Sequence, residues 1–340
     1  MTHNEIPQPG HGGRRIMKIH ILDDWFDTLR GLPCFDLLKG RDVTVWTDHE
    51  PDPAALARRL ADADCVVLFR ERTKITRELL ERLPRLRLIS QRGAFPHVDV
   101  DACTDHGVLL CSDKGADGAN FAAAELTFAL ILSAMRQLPQ QMASAKAGQW
   151  QMGVGRTLRG RRLGLYGYGR IGRVVADYAR AFGMDVVWWA SPSGRERAQG
   201  DGETVAASRA AFFSQSDVIS LHLRLTPETR GIVTGADLGA MRPASVLVNT
   251  SRAGLIAPGA LLQALDAGRP GMAAVDVFDS EPLTDPADPL LSHPGLIATP
   301  HIGFVTEDEF DKQFADIFAQ VNAYADGAPI HMINPSVYAP

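Results

Sequence analysis

The chain has 340 residues, with 35 lysines and arginines against 40 aspartates and glutamates, for a formal net charge of −5. Hydrophobic residues make up 45% and charged residues 22%, the profile of a folded chain long enough for two domains and too apolar for a disordered one. The slightly acidic balance speaks against a nucleic-acid-binding surface. No apolar run reaches the ~18 residues of a membrane span, because the longest, 121–135, is interrupted by Glu125 and Thr127.

Residues 1–15 are polar and rich in Gly, Pro and His. They read as a disordered leader, with Met17 as the start of the folded chain and no apolar stretch of a signal peptide. Short β-branched and Leu-rich runs at 17–22, 43–47, 65–69, 86–90 and 108–111 predict buried parallel strands. Helical patterns at 53–61 and 76–83 lie between them. The segment 113–120 lacks periodicity and is rich in Gly and Asp, so it reads as a linker. A long apolar helix over about 121–138 follows. A second strand series then runs through 163–166, 186–189, 217–221, 245–249, 272–276 and 296–298, and an amphipathic helix over about 306–325 closes the chain. Continuous alternation of strand and helix predicts two α/β domains with a boundary near 118. Cys34, Cys65, Cys103 and Cys111 form neither a Cys-x-x-Cys pair nor a zinc spacing. They read as reduced thiols of a cytoplasmic protein with no metal site.

Residues 163–173, LGLYGYGRIGR, carry Gly167-x-Gly169-x-x-Gly172 between an apolar strand and a helix. The first glycine permits a tight turn, the second lets a pyrophosphate approach the backbone, and the third lets helix and strand pack closely. The helix start offers free N–H groups to phosphates; a tight turn with no ligand is the plain alternative. The acidic residue expected at the end of the next strand to hold the adenosine ribose is missing. The chain has Ala190, Ser191, Pro192, Ser193, Gly194, Arg195, Glu196 and Arg197 there, while Asp185 begins the strand at the wrong end. Arginines here can accept a 2′-phosphate, which leaves NAD(H) and NADP(H) both open. The alternative is that Arg195 and Arg197 are solvated on a surface loop.

The stretches LGLYGYGRIG, SLHLRLTPETRGIV, VLVNTSRAGLI, AAVDVFDSEPL and ATPHIGF, in that order, resemble the D-isomer-specific 2-hydroxyacid dehydrogenase family. RERTKITRELL and AAAELTFALIL extend the likeness over nearly all of the chain after residue 15. The resemblance implies two Rossmann-like, doubly wound parallel-sheet domains. An NAD(P)-binding domain, 118–305, would be inserted into a flavodoxin-like substrate domain of 16–117 and 306–340. It implies Arg252 as the substrate-binding arginine, His301 as the acid–base residue and Glu281 as its partner. It implies cofactor contacts from Thr73, Arg170, Ile171, Leu223, Thr250, Ser251, Asp276 and Gly303, with Gly167, Gly169, Gly172 and Ser191 completing the cofactor set. The loop Gln91-Arg92-Gly93-Ala94-Phe95-Pro96-His97 stands where the family has a glycine-rich substrate loop. Arg92, Gly93 and Ala94 are its candidate substrate contacts, with Arg92 positioned to meet a second anionic group. Phe95 and Pro96 depart from the family pattern, as do Ala253 and Arg224, which stand where glycine and proline are usual. The apolar helix and the MASAKAGQWQ segment resemble the family's dimer interface, so a homodimer is expected.

These residue types suit the chemistry. Reducing a small 2-oxoacid to a D-2-hydroxyacid takes a hydride from the dinucleotide and a proton from the protein. Histidine is a natural proton donor near neutral pH, a carboxylate stabilises its charged form, and arginine supplies a planar fork for the substrate carboxylate. Taken singly, His301 fits a loop residue, Glu281 a surface turn and Arg252 an ordinary ion pair. His222 reads as a strand-end residue near the cofactor rather than a catalyst. Two other readings stay open: a dinucleotide-sensing regulatory protein like the corepressors of this fold, which keep the same Arg, Glu and His, and a formate dehydrogenase-like enzyme, against which Glu281 argues.

Overall fold

The computed structural model describes residues 16–113 and 121–338. The leader, the linker residues 114–120 and the last two residues lie outside that range. The chain divides into two compact units, residues 1–117 with 306–340 (unit 1) and 118–305 (unit 2).

In unit 1 the described strands are β1 (Lys18–Ile21), β2 (Asp42–Val45), β3 (Cys65–Val67), β4 (Leu88–Arg92) and β5 (Leu109–Asp113). They form one parallel sheet in the order β2-β1-β3-β4-β5. Helices α1 (Pro53–Arg59), α2 (Arg77–Glu81) and α3 (Val100–Asp105) connect them. Asp52, Thr76 and Asp99 accept hydrogen bonds from the first-turn N–H groups of the three helices, stopping the preceding extended segment and starting the turn. One sheet face buries Leu56, Leu60, Leu79, Ile89 and Leu110 in a single apolar cluster. The last helix of the chain, Glu307–Ala325, packs Phe310 and Phe314 against Phe69, with ring centroids 4.9 and 4.8 Å apart. The Ser90 hydroxyl donates to the Ile317 carbonyl of that helix at 3.0 Å. All four cysteines are buried free thiols of this unit.

Unit 2 begins with α4 (Phe121–Arg136) and α5 (Leu138–Lys146), then β6 (Arg162–Tyr166), α6 (Arg170–Ala181), β7 (Asp185–Trp189) and α7 (Pro192–Gly200). It continues through α8 (Arg209–Gln215), β8 (Val218–Leu221), α9 (Gly235–Ala240), β9 (Val246–Asn249), α10 (Ala260–Asp266), β10 (Met272–Val275) and β11 (Leu296–Ala298). Its parallel sheet runs β11-β10-β9-β8-β6-β7. Two apolar clusters cover its faces, one built with α4 and α6 and the other with α8, α9 and α10. Order reverses at β6, which pairs with β7 on one side and β8 on the other. Ligands of doubly wound sheets bind outside the carboxyl ends of the strands at such a reversal.

Two sequence expectations are corrected and one helix is added. The helix expected over about 121–138 is α4, Phe121–Arg136, and a second helix, α5, follows it at a bend of 61°. Gln137 adopts φ +53° between them, and Pro139 in the first turn of α5 has no N–H with which to continue the upstream helix. The stretch after β7 is not a loop but α7, started by Pro192 and capped by Ser191, whose hydroxyl accepts the Gly194 N–H at 3.2 Å. Asp113 belongs to β5 rather than to a linker. Among the described residues no single helix is long and apolar enough to cross a membrane.

Candidate active site

The glycine loop joins β6 to α6, and each glycine meets a different demand. Gly167 sits at φ +111°, and a Cβ there would lie 2.3 Å from the His222 carbonyl oxygen. At Gly172 a Cβ would press on the Trp188 ring at 3.1 Å. Gly169 has an ordinary extended backbone, and a Cβ there would meet nothing within 4 Å. The protein's own packing therefore does not require a glycine at 169. The open space over it belongs to a cavity of about 450 Å³ lined by Gly169, Arg170, Ile171, Gly172, His222, Leu223, Arg224 and Ser251. A bare backbone facing a cavity at the start of a helix fits a dinucleotide pyrophosphate.

The cavity wall opposite the glycines comes from the segments after β8 and β9. Ser220 Oγ lies 2.9 Å from His222 Nε2, and burial pushes the His222 pKa down to about 4, so its imidazole is neutral. Ser251 Oγ donates to the Leu221 carbonyl at 2.7 Å, tying the two segments together. The Thr250 hydroxyl is 2.6 Å from that of Thr127 on α4 and is engaged there. Asn249, nearly inaccessible to solvent, clamps the turn that presents Arg252. Its Nδ2 donates to the Arg252 carbonyl at 2.9 Å, and its Oδ1 accepts the Ser251 N–H at 3.0 Å. Sequence reasoning passed over this residue, although Asn249 stands inside the VLVNTSRAGLI stretch that carried the resemblance.

Asp276 follows β10 and has no solvent exposure. Its Oδ1 accepts from the Thr299 hydroxyl (2.6 Å) and the Ile302 N–H (2.8 Å), and its Oδ2 from the Gly303 N–H (2.8 Å). Burial holds this carboxyl above its usual range, against the pull of those three hydrogen bonds. Both oxygens thus bind the turn after β11, the turn that carries His301 at φ +55°. His301 Nδ1 is 2.5 Å from Glu281 Oε2, while Glu281 Oε1 accepts the Phe278 N–H at 2.8 Å. Burial works to raise the Glu281 carboxyl, but the hydrogen bonds from His301 and the Phe278 N–H, with the charges of His301 and Arg252, hold it below its usual value. With Nδ1 engaged, Nε2 of His301 is the nitrogen with no partner among the described residues. That is the arrangement of an imidazole oriented by a carboxylate for proton exchange at its other nitrogen.

Unit 2 therefore brings together the glycine loop, Arg170, Ile171, Leu223 and Ser251 around one cavity, and it pairs Glu281 with His301. Ser191 is occupied as a helix cap. The remaining candidates lie in unit 1. Thr73 is buried, with its hydroxyl donating to Asp23 Oδ2 at 2.6 Å. Arg92 is neither a solvated loop residue nor an unbalanced cation. It ends β4, its side chain is 13% exposed, and its guanidinium lies 2.9 Å from Asp316, 3.9 Å from Asp113 and 4.0 Å from Glu309. Gly93, at φ +91°, gives its N–H to the Asp113 carbonyl at 2.7 Å. The N–H groups of Ala94 and Phe95 have no acceptor among the described residues, and Phe95 packs half-buried against the unit 1 core.

The family model described as D-isomer specific 2-hydroxyacid dehydrogenase, NAD binding domain, matches residues 128–303. The chain belongs to the D-isomer-specific 2-hydroxyacid dehydrogenase family. A crystal structure of a family protein from Ralstonia solanacearum is 44% identical, covers 95% of this chain and 98% of that one, and superposes with a TM-score of 0.90. A glyoxylate reductase of Aeropyrum pernix is 33% identical over 88% of this chain and 92% of its own length. A D-3-phosphoglycerate dehydrogenase of Methanocaldococcus jannaschii is 37% identical over 74% of this chain but only 48% of its own length. The chain thus spans about half the length of the phosphoglycerate dehydrogenases of the family that it matches first.

Proposed function

We propose that the chain is an NAD(P)-dependent oxidoreductase interconverting a small 2-oxoacid and its D-2-hydroxyacid. The observation that carries this reading is the Glu281–His301 pair, held on the same sheet edge as the glycine-lined cavity. Bound there, the dinucleotide would supply or accept the hydride at the substrate carbon. Gly169 and the α6 N-terminus would hold its pyrophosphate, and Leu223 and Ser251 would line its path. His301 Nε2 would give a proton to the carbonyl oxygen during reduction and take it back during oxidation. Glu281, fixed by the Phe278 N–H, would balance the charge on the imidazole. Arg252 would receive the substrate carboxylate and stabilise negative charge developing on the neighbouring oxygen. Asp276 would position the His301 turn through its three hydrogen bonds, with acceptor capacity left on Oδ2 for the cofactor contact that the resemblance implies.

The exposed Leu138, Met142, Trp150, Met152 and Val154, on α5 and the segment after it, support a homodimer through this face. Sedimentation velocity would return a dimer mass; a monomer at micromolar concentration would remove that part of the proposal. The four reduced thiols support a cytoplasmic setting. The test of function is a panel of 2-oxoacids, including glyoxylate, hydroxypyruvate, its phosphate, pyruvate and bulkier members, assayed with NADH and with NADPH. Turnover of at least one member is expected. Dinucleotide binding with no turnover across the panel would favour the regulatory reading instead.

A further inference from the structure

The strand that should present a carboxylate to the adenosine ribose presents none. β7 ends at Trp189, and Ala190 behind it is 5% exposed. The acidic side chains nearby are engaged elsewhere. Asp201 accepts the Tyr168 hydroxyl at 2.5 Å, and Glu203 accepts the Trp188 indole N–H at 2.9 Å and pairs with Arg180. Glu196 is exposed on α7, one residue past Arg195 and about 100° around the helix from it.

What occupies this end of β7 is Arg195. Its guanidinium carbon lies 4.3 Å from the centroid of the Trp189 ring, and its Nη1 donates to the Ala190 carbonyl at 2.7 Å. A stacked, singly anchored guanidinium is already ordered, so less side-chain entropy is lost when it takes a ligand. Its remaining N–H groups have no acceptor among the described residues. On the other side of β6, Arg224 follows β8, lines the cavity above Gly169, and forms no ion pair among the described residues. Proline is usual there in the family; this chain has a cation. The two arginines thus flank the glycine loop at the strand-order reversal, where a dinucleotide's adenosine half would lie.

We infer that this end of the groove selects a 2′-phosphorylated dinucleotide, with Arg195 receiving the phosphate and Arg224 adding a second positive charge. The inference rests on the proposed dinucleotide-dependent function. Arg197, exposed and two residues further along α7, has no such anchorage and is assigned no part in it.

Calorimetry on the full chain tests this without turnover. The ligand pair is adenosine 2′,5′-bisphosphate and 5′-AMP, followed by NADPH and NADH. The wild-type protein is expected to bind the 2′-phosphorylated member of each pair about tenfold or more tightly. Arg195→Ala should remove most of that preference while leaving 5′-AMP and NADH affinity nearly unchanged. Arg195→Lys should restore part of it, Arg224→Ala should reduce it by a smaller factor, and Arg197→Ala should leave it intact. A wild-type preference for 5′-AMP and NADH, or an Arg195→Ala variant that loses both members of a pair equally, would overturn the inference and leave the dinucleotide reading standing. Binding of neither dinucleotide would overturn both.

Discussion

The edge of the unit 2 sheet and the loop at the end of β4 in unit 1 both carry a cluster of charged side chains, but the charges are spent differently. In unit 2 the buried carboxylate of Asp276 and the amide of Asn249 are turned on the backbone, which leaves His301 Nε2 free at the end of a rigid turn. In unit 1 Arg92 is surrounded by Asp113, Glu309 and Asp316, so its charge is balanced inside the unit, while the N–H groups of Ala94 and Phe95 and both ring nitrogens of His97 have no partner among the described residues. A charged side chain is available for chemistry only when other groups do its structural work. The unit 2 edge has Asp276 and Asn249 for that; the unit 1 loop uses Arg92 itself.

The largest expected effect falls on the free imidazole. His301→Asn should lower kcat by about 10²–10⁴-fold while dinucleotide affinity is kept; single-turnover kinetics with a titration of NAD(P)H would measure both. A small loss would break the comparison, since the turn held by Asp276 would then present nothing essential. Arg252→Lys keeps the charge but loses the planar fork, and should cost about a hundredfold in kcat/KM.

The glycine loop gives a sharper contrast. Gly167→Ala forces a side chain onto the His222 carbonyl at positive φ and should destabilise the fold by more than about 2 kcal/mol in denaturant melts. Gly169→Ala meets open space and should stay within about 0.5 kcal/mol of wild type, yet weaken dinucleotide binding about tenfold. Loss of stability without loss of affinity at Gly169 would show that the cavity above it holds no pyrophosphate.

The smaller effects concern the carboxylates. Glu281 is held below its ordinary value of 4.5, so its ionised form is favoured by folding. The stability it contributes is fully present above that value and is lost as pH falls through the lowered folded value. Melts of wild type and Glu281→Gln should therefore differ at pH 7 and converge in acid; a difference that grows on acidification would reverse the sign. Smallest of all, Arg92→Met should change the KM for the 2-oxoacid by no more than about threefold while lowering the melting temperature, because three carboxylates lose their common cation. A tenfold rise in KM with unchanged stability would return Arg92 to the substrate.

Much of this was legible before the structure. Both sheets could be traced because buried parallel strands are short, continuous apolar runs, as in 163–166 and 245–249. The glycine loop announced itself through its flanks. What could not be read was local competition. The helix α5, started by Pro139 after the turn at Gln137, is polar and exposed and so carries no apolar stripe to announce it. The helix α7 hides in a segment whose Ser, Pro and Gly look like a loop until Ser191 is seen capping it. The partners of Arg92 on the last helix lie more than 200 residues away in sequence, and no spacing rule reaches them. Of the site itself, His301 and Glu281 were named through resemblance, and the structure places them in contact. The supporting parts played by Asn249 and Asp276 emerge only from hydrogen bonds to the backbone, which sequence does not display.

The most direct test of the central claim uses NAD(P)H deuterated at the transferable nicotinamide position, mixed with the best 2-oxoacid of the panel. With a 2-oxoacid of three or more carbons, the account predicts a D-2-hydroxyacid with deuterium on C2, formed about 10²–10⁴-fold more slowly by His301→Asn under conditions where the dinucleotide is bound. An L product, or a product without deuterium at C2, would contradict it.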